Sequence, residues 1–148
     1  MRADTLTYRY FYQASPQKLF QTLLDQQLKY FQAHDAKIKN LHVGDEIQTT
    51  LKTKLQKLDS VIRMKITKID PGREFQLQTL QSHNHTITQT FKFEKSPNGR
   101  NQLLYSEQTN VQTVRGQSYF FLAALLYKFF YNRGMKKRLQ YLDQLALS

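Results

Sequence analysis

The chain has 148 residues, a formal charge of +11 and no cysteine. A chain of this length fits one domain with a core that needs no staples, and the lack of cysteine excludes disulfides, thiolate metal sites and a thiol nucleophile. The positive charge permits contact with nucleic acid, anionic lipid or an acidic partner, but the basic residues are scattered from Arg2 to Arg138 rather than blocked, the pattern of a solvated surface.

The first ten residues lack the apolar core of a signal peptide, and a cytoplasmic protein is expected. Thr5 to Gln13 alternates, with Leu6, Tyr8, Tyr10 and Tyr12 on one face and Thr7, Arg9 and Phe11 on the other, which predicts a strand. Ser15-Pro16 signals a helix start, with Ser15 as N-cap and Pro16 at the first helical position. Leu19, Phe20, Leu23, Leu24, Leu28 and Phe31 follow at helical spacing, so the helix is expected to reach Gln32. Between His34 and Val43 the pattern fits either a second short helix or a turn.

Gly44-Asp45 opens a series of alternating runs. Glu46–Lys57 places Ile47, Thr49, Leu51, Thr53 and Leu55 on one face. In Val61–Asp70, Ile62, Met64 and Ile66 alternate with polar residues, and Ile69 falls out of phase, which suggests a bulge or a twisting end. Asp70-Pro71-Gly72 reads as a turn before Phe75, Leu77 and Thr79. After a turn at Ser82-His83-Asn84, Ile87, Gln89, Phe91 and Phe93 share a face. Ser96-Pro97-Asn98-Gly99 is a hairpin signal, and Leu103, Tyr105, Glu107 and Thr109 make the last inward face.

From Gln117 to Ser148 one long helix is predicted. Met135, Leu139, Leu142 and Ala146 share a stripe, while Lys136, Lys137, Gln140, Asp143 and Gln144 fall to its sides or opposite. The first half, 119–131, is apolar nearly all round, yet Lys128 interrupts it and it is shorter than the about 20 apolar residues that span a bilayer. Gly134, between the halves, permits a kink. Alternation on one side of each strand means one covered and one wet face. The expected architecture is therefore α+β: a curved antiparallel sheet of six or seven strands wrapped around the long C-terminal helix.

Three local patterns carry a resemblance. Tyr12-Gln-Ala-Ser-Pro-Gln-Lys-Leu-Phe20 resembles the strand-to-helix entry of the START-like helix-grip superfamily, also called SRPBCC, whose familiar member is the birch-pollen allergen. Ile66-Thr-Lys-Ile-Asp-Pro-Gly-Arg-Glu-Phe75 resembles its third-to-fourth strand turn, and Ser96-Pro-Asn-Gly-Arg-Asn-Gln-Leu-Leu-Tyr105 a later hairpin. The size and the basic run Arg133-Gly-Met-Lys-Lys-Arg138 are similar to those of a family of small uncharacterised proteins from lactic acid bacteria within that superfamily. The resemblance implies a single helix-grip domain with a cavity between sheet and last helix, used by superfamily members for lipids, sterols, hormones or polyketides and by a minority for cyclase or dehydratase chemistry. It brings no shared catalytic motif and no cofactor.

The candidate pocket wall is Tyr8, Tyr10, Tyr12, Phe75, Phe91, Phe93, Tyr105, Phe121 and Leu125, with Thr49, Thr53, Gln89 and Glu107 as polar tips. Aromatic walls with few polar groups suit a small apolar or amphipathic ligand. The same residues also fit a filled core. Glu107, an acid in an inward phase, fits a ligand anchor, a general base, or a partner for Arg9, Lys128 or a tyrosine. His83-Asn-His85 offers two imidazoles but no third ligand, so no metal is assigned. Lys52, Lys54, Arg63, Lys65 and Arg73 fall on the outer face or its edge without interleaved aromatics, so no specific nucleic-acid binding is expected. The aromatic segment beside Arg133, Lys136, Lys137 and Arg138 leaves three further readings open: peripheral contact with an anionic membrane, a homodimer through the C-terminal helix, and simple burial.

Overall fold

A computed structural model describes residues 5–51, 60–81, 85–110 and 134–148. Six strands and two helices are described: β1 (Thr5–Phe11), α1 (Pro16–His34), β2 (Glu46–Leu51), β3 (Ser60–Asp70), β4 (Glu74–Gln81), β5 (His85–Lys95), β6 (Asn101–Asn110) and the helix α2 (134–147). The strands form one curved antiparallel sheet in the order β1-β6-β5-β4-β3-β2. The first strand thus pairs with the last, and the hairpin series runs outward from β6 to β2 at the far edge.

The local chemistry sets the boundaries. Ser15 has extended backbone and its hydroxyl accepts from the Lys18 N–H at 3.2 Å, with Pro16 opening the helix. The helix runs two residues past Gln32, to His34, and the segment after it forms turns rather than a second helix. Those turns are tied to the sheet, since Gly44 N–H donates to the Ile66 carbonyl at 2.8 Å and Ile66 N–H to the Asp45 carbonyl at 2.9 Å. At the two tight hairpins, Gly72 (φ 75°) and Gly99 (φ 78°) take the left-handed conformation that a side chain disfavours by about 1–2 kcal/mol. The register of β3 against β4 shifts between Ile66 and Lys68. The extra residue, Thr67, lets Ile66 and Ile69 both join the core, which is the phase break visible in the sequence.

One face of the sheet carries the core. Ile66, Phe75, Leu77, Phe91, Leu103 and Tyr105 are essentially inaccessible. They are covered by Leu19, Phe20, Leu23 and Phe31 of α1 and by Met135, Leu139, Leu142 and Ala146 of α2. The other face is polar: Thr67, Gln76 and Thr90 are linked across three strands by side-chain hydrogen bonds, and Glu74 pairs with Lys68 and Lys92. Arg63, Lys65 and Arg73 are exposed.

Asp143 is a correction. Helical periodicity sets it beside the apolar stripe, yet it is only 3% exposed. Its carboxylate accepts from the Gln13 and Ala14 N–H groups at 2.9 and 3.0 Å and lies 3.4 Å from the Tyr10 hydroxyl. Those two N–H groups lie in the turn between β1 and α1, where no strand or helix partner satisfies them. A charged acceptor from a distant helix does so, and in doing so pins α2 to the start of the fold.

Candidate functional site

A cavity of about 460 Å³ lies between the two helices and the concave sheet face. From α1 come Leu23, Gln26, Gln27 and Tyr30, successive residues on one side of the helix. The sheet contributes Met64 and Gln89, and α2 contributes Arg138, Tyr141 and Leu142. The volume lies within the roughly 300–1,000 Å³ of small-molecule sites. Tyr30 and Tyr141 are both well exposed, so the cavity opens to solvent between the helices. Leu23, Met64 and Leu142 give it an apolar side.

Its polar side has an unusual member. Gln27 is 8% exposed, sits on the Leu23–Gln27–Phe31 stripe that faces the core, and has no hydrogen-bond partner among the described residues. A buried amide left without a partner costs about 1–3 kcal/mol, so such groups normally meet water or a ligand.

One wall residue, Gln89, belongs to a network. Register places Gln89 opposite Glu107 and Phe91 opposite Tyr105, so Gln89 and Tyr105 are diagonal neighbours. The Gln89 amide donates to the Tyr105 hydroxyl at 2.8 Å, and that hydroxyl hydrogen-bonds the Glu107 carboxylate. Burial raises the Glu107 carboxyl above the usual carboxylate range, while Tyr105 and the Arg138 charge pull it partly back. Burial first, and the Glu107 charge second, hold the Tyr105 phenol far above its ordinary value, so it stays a neutral donor. Tyr8, Tyr10 and Tyr12 are raised too, by burial and, for Tyr10 and Tyr12, by the Asp143 charge.

The sequence candidates divide by position. Gln89 lines the cavity, and Glu107, opposite it on β6, is not among the described wall residues. Phe75, Phe91 and Tyr105 form a packed row with ring centroids 6.2 and 4.7 Å apart, and Tyr12 and Phe93 stack edge-on at 6.0 Å. Tyr8 and Tyr10 pack at the margin of that core. The Thr49 side chain and all of Thr53, Phe121 and Leu125 lie outside the described residues, as do His83, Lys52, Lys54, Lys128, Arg133 and the apolar 119–131 segment. Glu107 meets a tyrosine, Tyr105, and a cation, Arg138, which the sequence groups with Arg133, Lys136 and Lys137 of the last helix. The candidate pocket wall read from the sequence lacks Gln26, Gln27, Tyr30, Met64, Arg138, Tyr141 and Leu142, although periodicity puts Met64 and Leu142 on apolar faces. One signal was available: a glutamine in the apolar phase of α1, matching the glutamine in the apolar phase of β5.

The profile of a family described as a domain of unknown function, DUF3284, matches residues 7–132, and the chain belongs to that family. No curated protein matches it by sequence. In structure it is similar to protein MLL2253 from Mesorhizobium loti, with 16% identity, 95% of this chain and 97% of that one covered, and a TM-score of 0.59. It is equally similar to a protein from Staphylococcus epidermidis, with 12% identity, coverage of 99% and 91%, and a TM-score of 0.59. Ara h 8.0201, a protein of the birch-pollen-allergen type, aligns over 84% of this chain and 97% of its own at 14% identity and a TM-score of 0.50. At these identities the likeness shows the fold, which is the START-like helix grip.

Proposed function

We propose that this domain is a small-molecule-binding protein that holds an amphipathic ligand between α1, α2 and the sheet. The observation that carries the reading is the cavity, whose wall joins Leu23, Met64 and Leu142 to a buried Gln27 that has no hydrogen-bond partner among the described residues. An apolar body would displace weakly held water from the first three, and a polar end would satisfy the amide. The helix-grip fold is compatible with such a role, and the net charge of +11 favours ligands that are not cations. Glu107 is not among the described residues that line the cavity, so the arrangement favours binding over proton transfer.

The test uses N-phenyl-1-naphthylamine, a neutral apolar probe that fluoresces when it leaves water. The protein is expected to bind it saturably, and Gln26→Trp, which places an indole in the cavity without touching a core residue, is expected to weaken binding about tenfold or more. Binding unchanged by that substitution, or no binding of this probe or of its anionic counterpart, overturns the reading.

A further inference from the structure

We propose that the ligand is an amphipathic anion whose charged head is held by Arg138, Gln27 and Gln89. The inference rests on the cavity being a ligand site and adds the chemistry of its occupant. Among the described wall residues there is one charge, the Arg138 cation, and no carboxylate. The rest of the polar wall is amide and phenol. Gln89 spends one amide hydrogen on Tyr105 and keeps a second. Gln27 keeps both, being buried without a partner among the described residues. Arg138 presents a planar fork of donors at the exposed side of the same space, a geometry suited to a carboxylate, sulfonate or phosphate. Amides can also accept, but only donors are fixed at both Arg138 and the free hydrogen of Gln89. Glu107, which hydrogen-bonds Tyr105 and feels the Arg138 charge, is not among the described wall residues and forms no ion pair with Arg138 among the described residues, so the guanidinium keeps donors for a ligand. The apolar side formed by Leu23, Met64 and Leu142 takes the body of the molecule.

Two fluorescent probes separate this proposal from the broader one. 8-Anilino-1-naphthalenesulfonate has the same aromatic body as N-phenyl-1-naphthylamine and adds an anionic head. Arg138→Gln is expected to weaken the sulfonate about tenfold or more and to leave the neutral probe unchanged. Arg138→Lys, which keeps the charge and loses the fork, is expected to fall between, and supplies the comparison should the glutamine variant fold poorly. Lys137→Gln removes the same charge from the exposed side of the same helix and is expected to change neither probe. Dodecanoate should displace the bound sulfonate at lower concentration than dodecanol. Equal loss of both probes in Arg138→Gln, no loss of either, or an equal effect of Lys137→Gln overturns the anion assignment while the cavity reading stands. Failure of both probes to bind the unmodified protein overturns both.

Discussion

Arg138 and Asp143 are charges on the same helix, one turn and a half apart, and they meet opposite fates. Asp143 is buried and saturated: two backbone N–H groups and a tyrosine hydroxyl surround its carboxylate. Arg138 is exposed and stands at a cavity, with no ion pair among the described residues, while Glu107, which feels its charge, hydrogen-bonds Tyr105. A charge whose partners are all supplied by the fold holds the fold together, because any other arrangement leaves those partners bare in the interior. A charge with donors left over stabilises little and is free to meet something else. The same contrast separates the packed aromatic row around Phe91 from the cavity around Gln27, on the same concave surface.

The largest expected effect strikes the saturated member. Asp143→Ala leaves the Gln13 and Ala14 N–H groups without acceptors and should lower unfolding free energy by about 3 kcal/mol in urea titration. Arg138→Gln should change it by less than about 0.5 kcal/mol. Equal losses in the two variants would erase the distinction.

A smaller effect, of opposite sign, belongs to Gln27. Gln27→Leu removes an amide that has no partner among the described residues and should stabilise the ligand-free protein by about 1 kcal/mol, while weakening the sulfonate probe. Lower stability in the same titration would mean the amide is satisfied inside the fold and is not waiting for a ligand.

The smallest effect is a matter of pH. Because burial in the folded state raises the Glu107 carboxyl above its ordinary value, its contribution to stability is present in full below the unfolded pKa. That contribution is lost as pH rises through the folded value. A glutamine cannot ionise, so Glu107→Gln should melt above the unmodified protein at about pH 7, with the gap closing near pH 4. A gap that is constant, or that widens on acidification, would show that the carboxylate is favoured in place.

The same Asp143 shows where one-dimensional reading stops. Alternation and turn chemistry placed β1, α1 and the β3–β6 hairpins within a residue or two, and the misphased Ile69 announced the bulge. Gln89 and Glu107 were legible as polar residues in apolar phase. Gln27 carried the same signal in α1, hidden by leucines on either side. Nothing local marks Asp143 or Arg138, since each gains its meaning from residues far along the chain.

What the sequence alone determined was the kind and order of the elements and which face of each strand turns inward. Those follow from the two-residue strand period, the 3.6-residue helix period, and glycines where hairpins need left-handed backbone. What only the tertiary structure decided was where the concave face is filled and where it is left open, and which of two charges on α2 is spent. Packing is a property of surfaces brought together across the whole chain, so a Phe in a row of rings and a Gln beside an empty space look alike until their neighbours arrive.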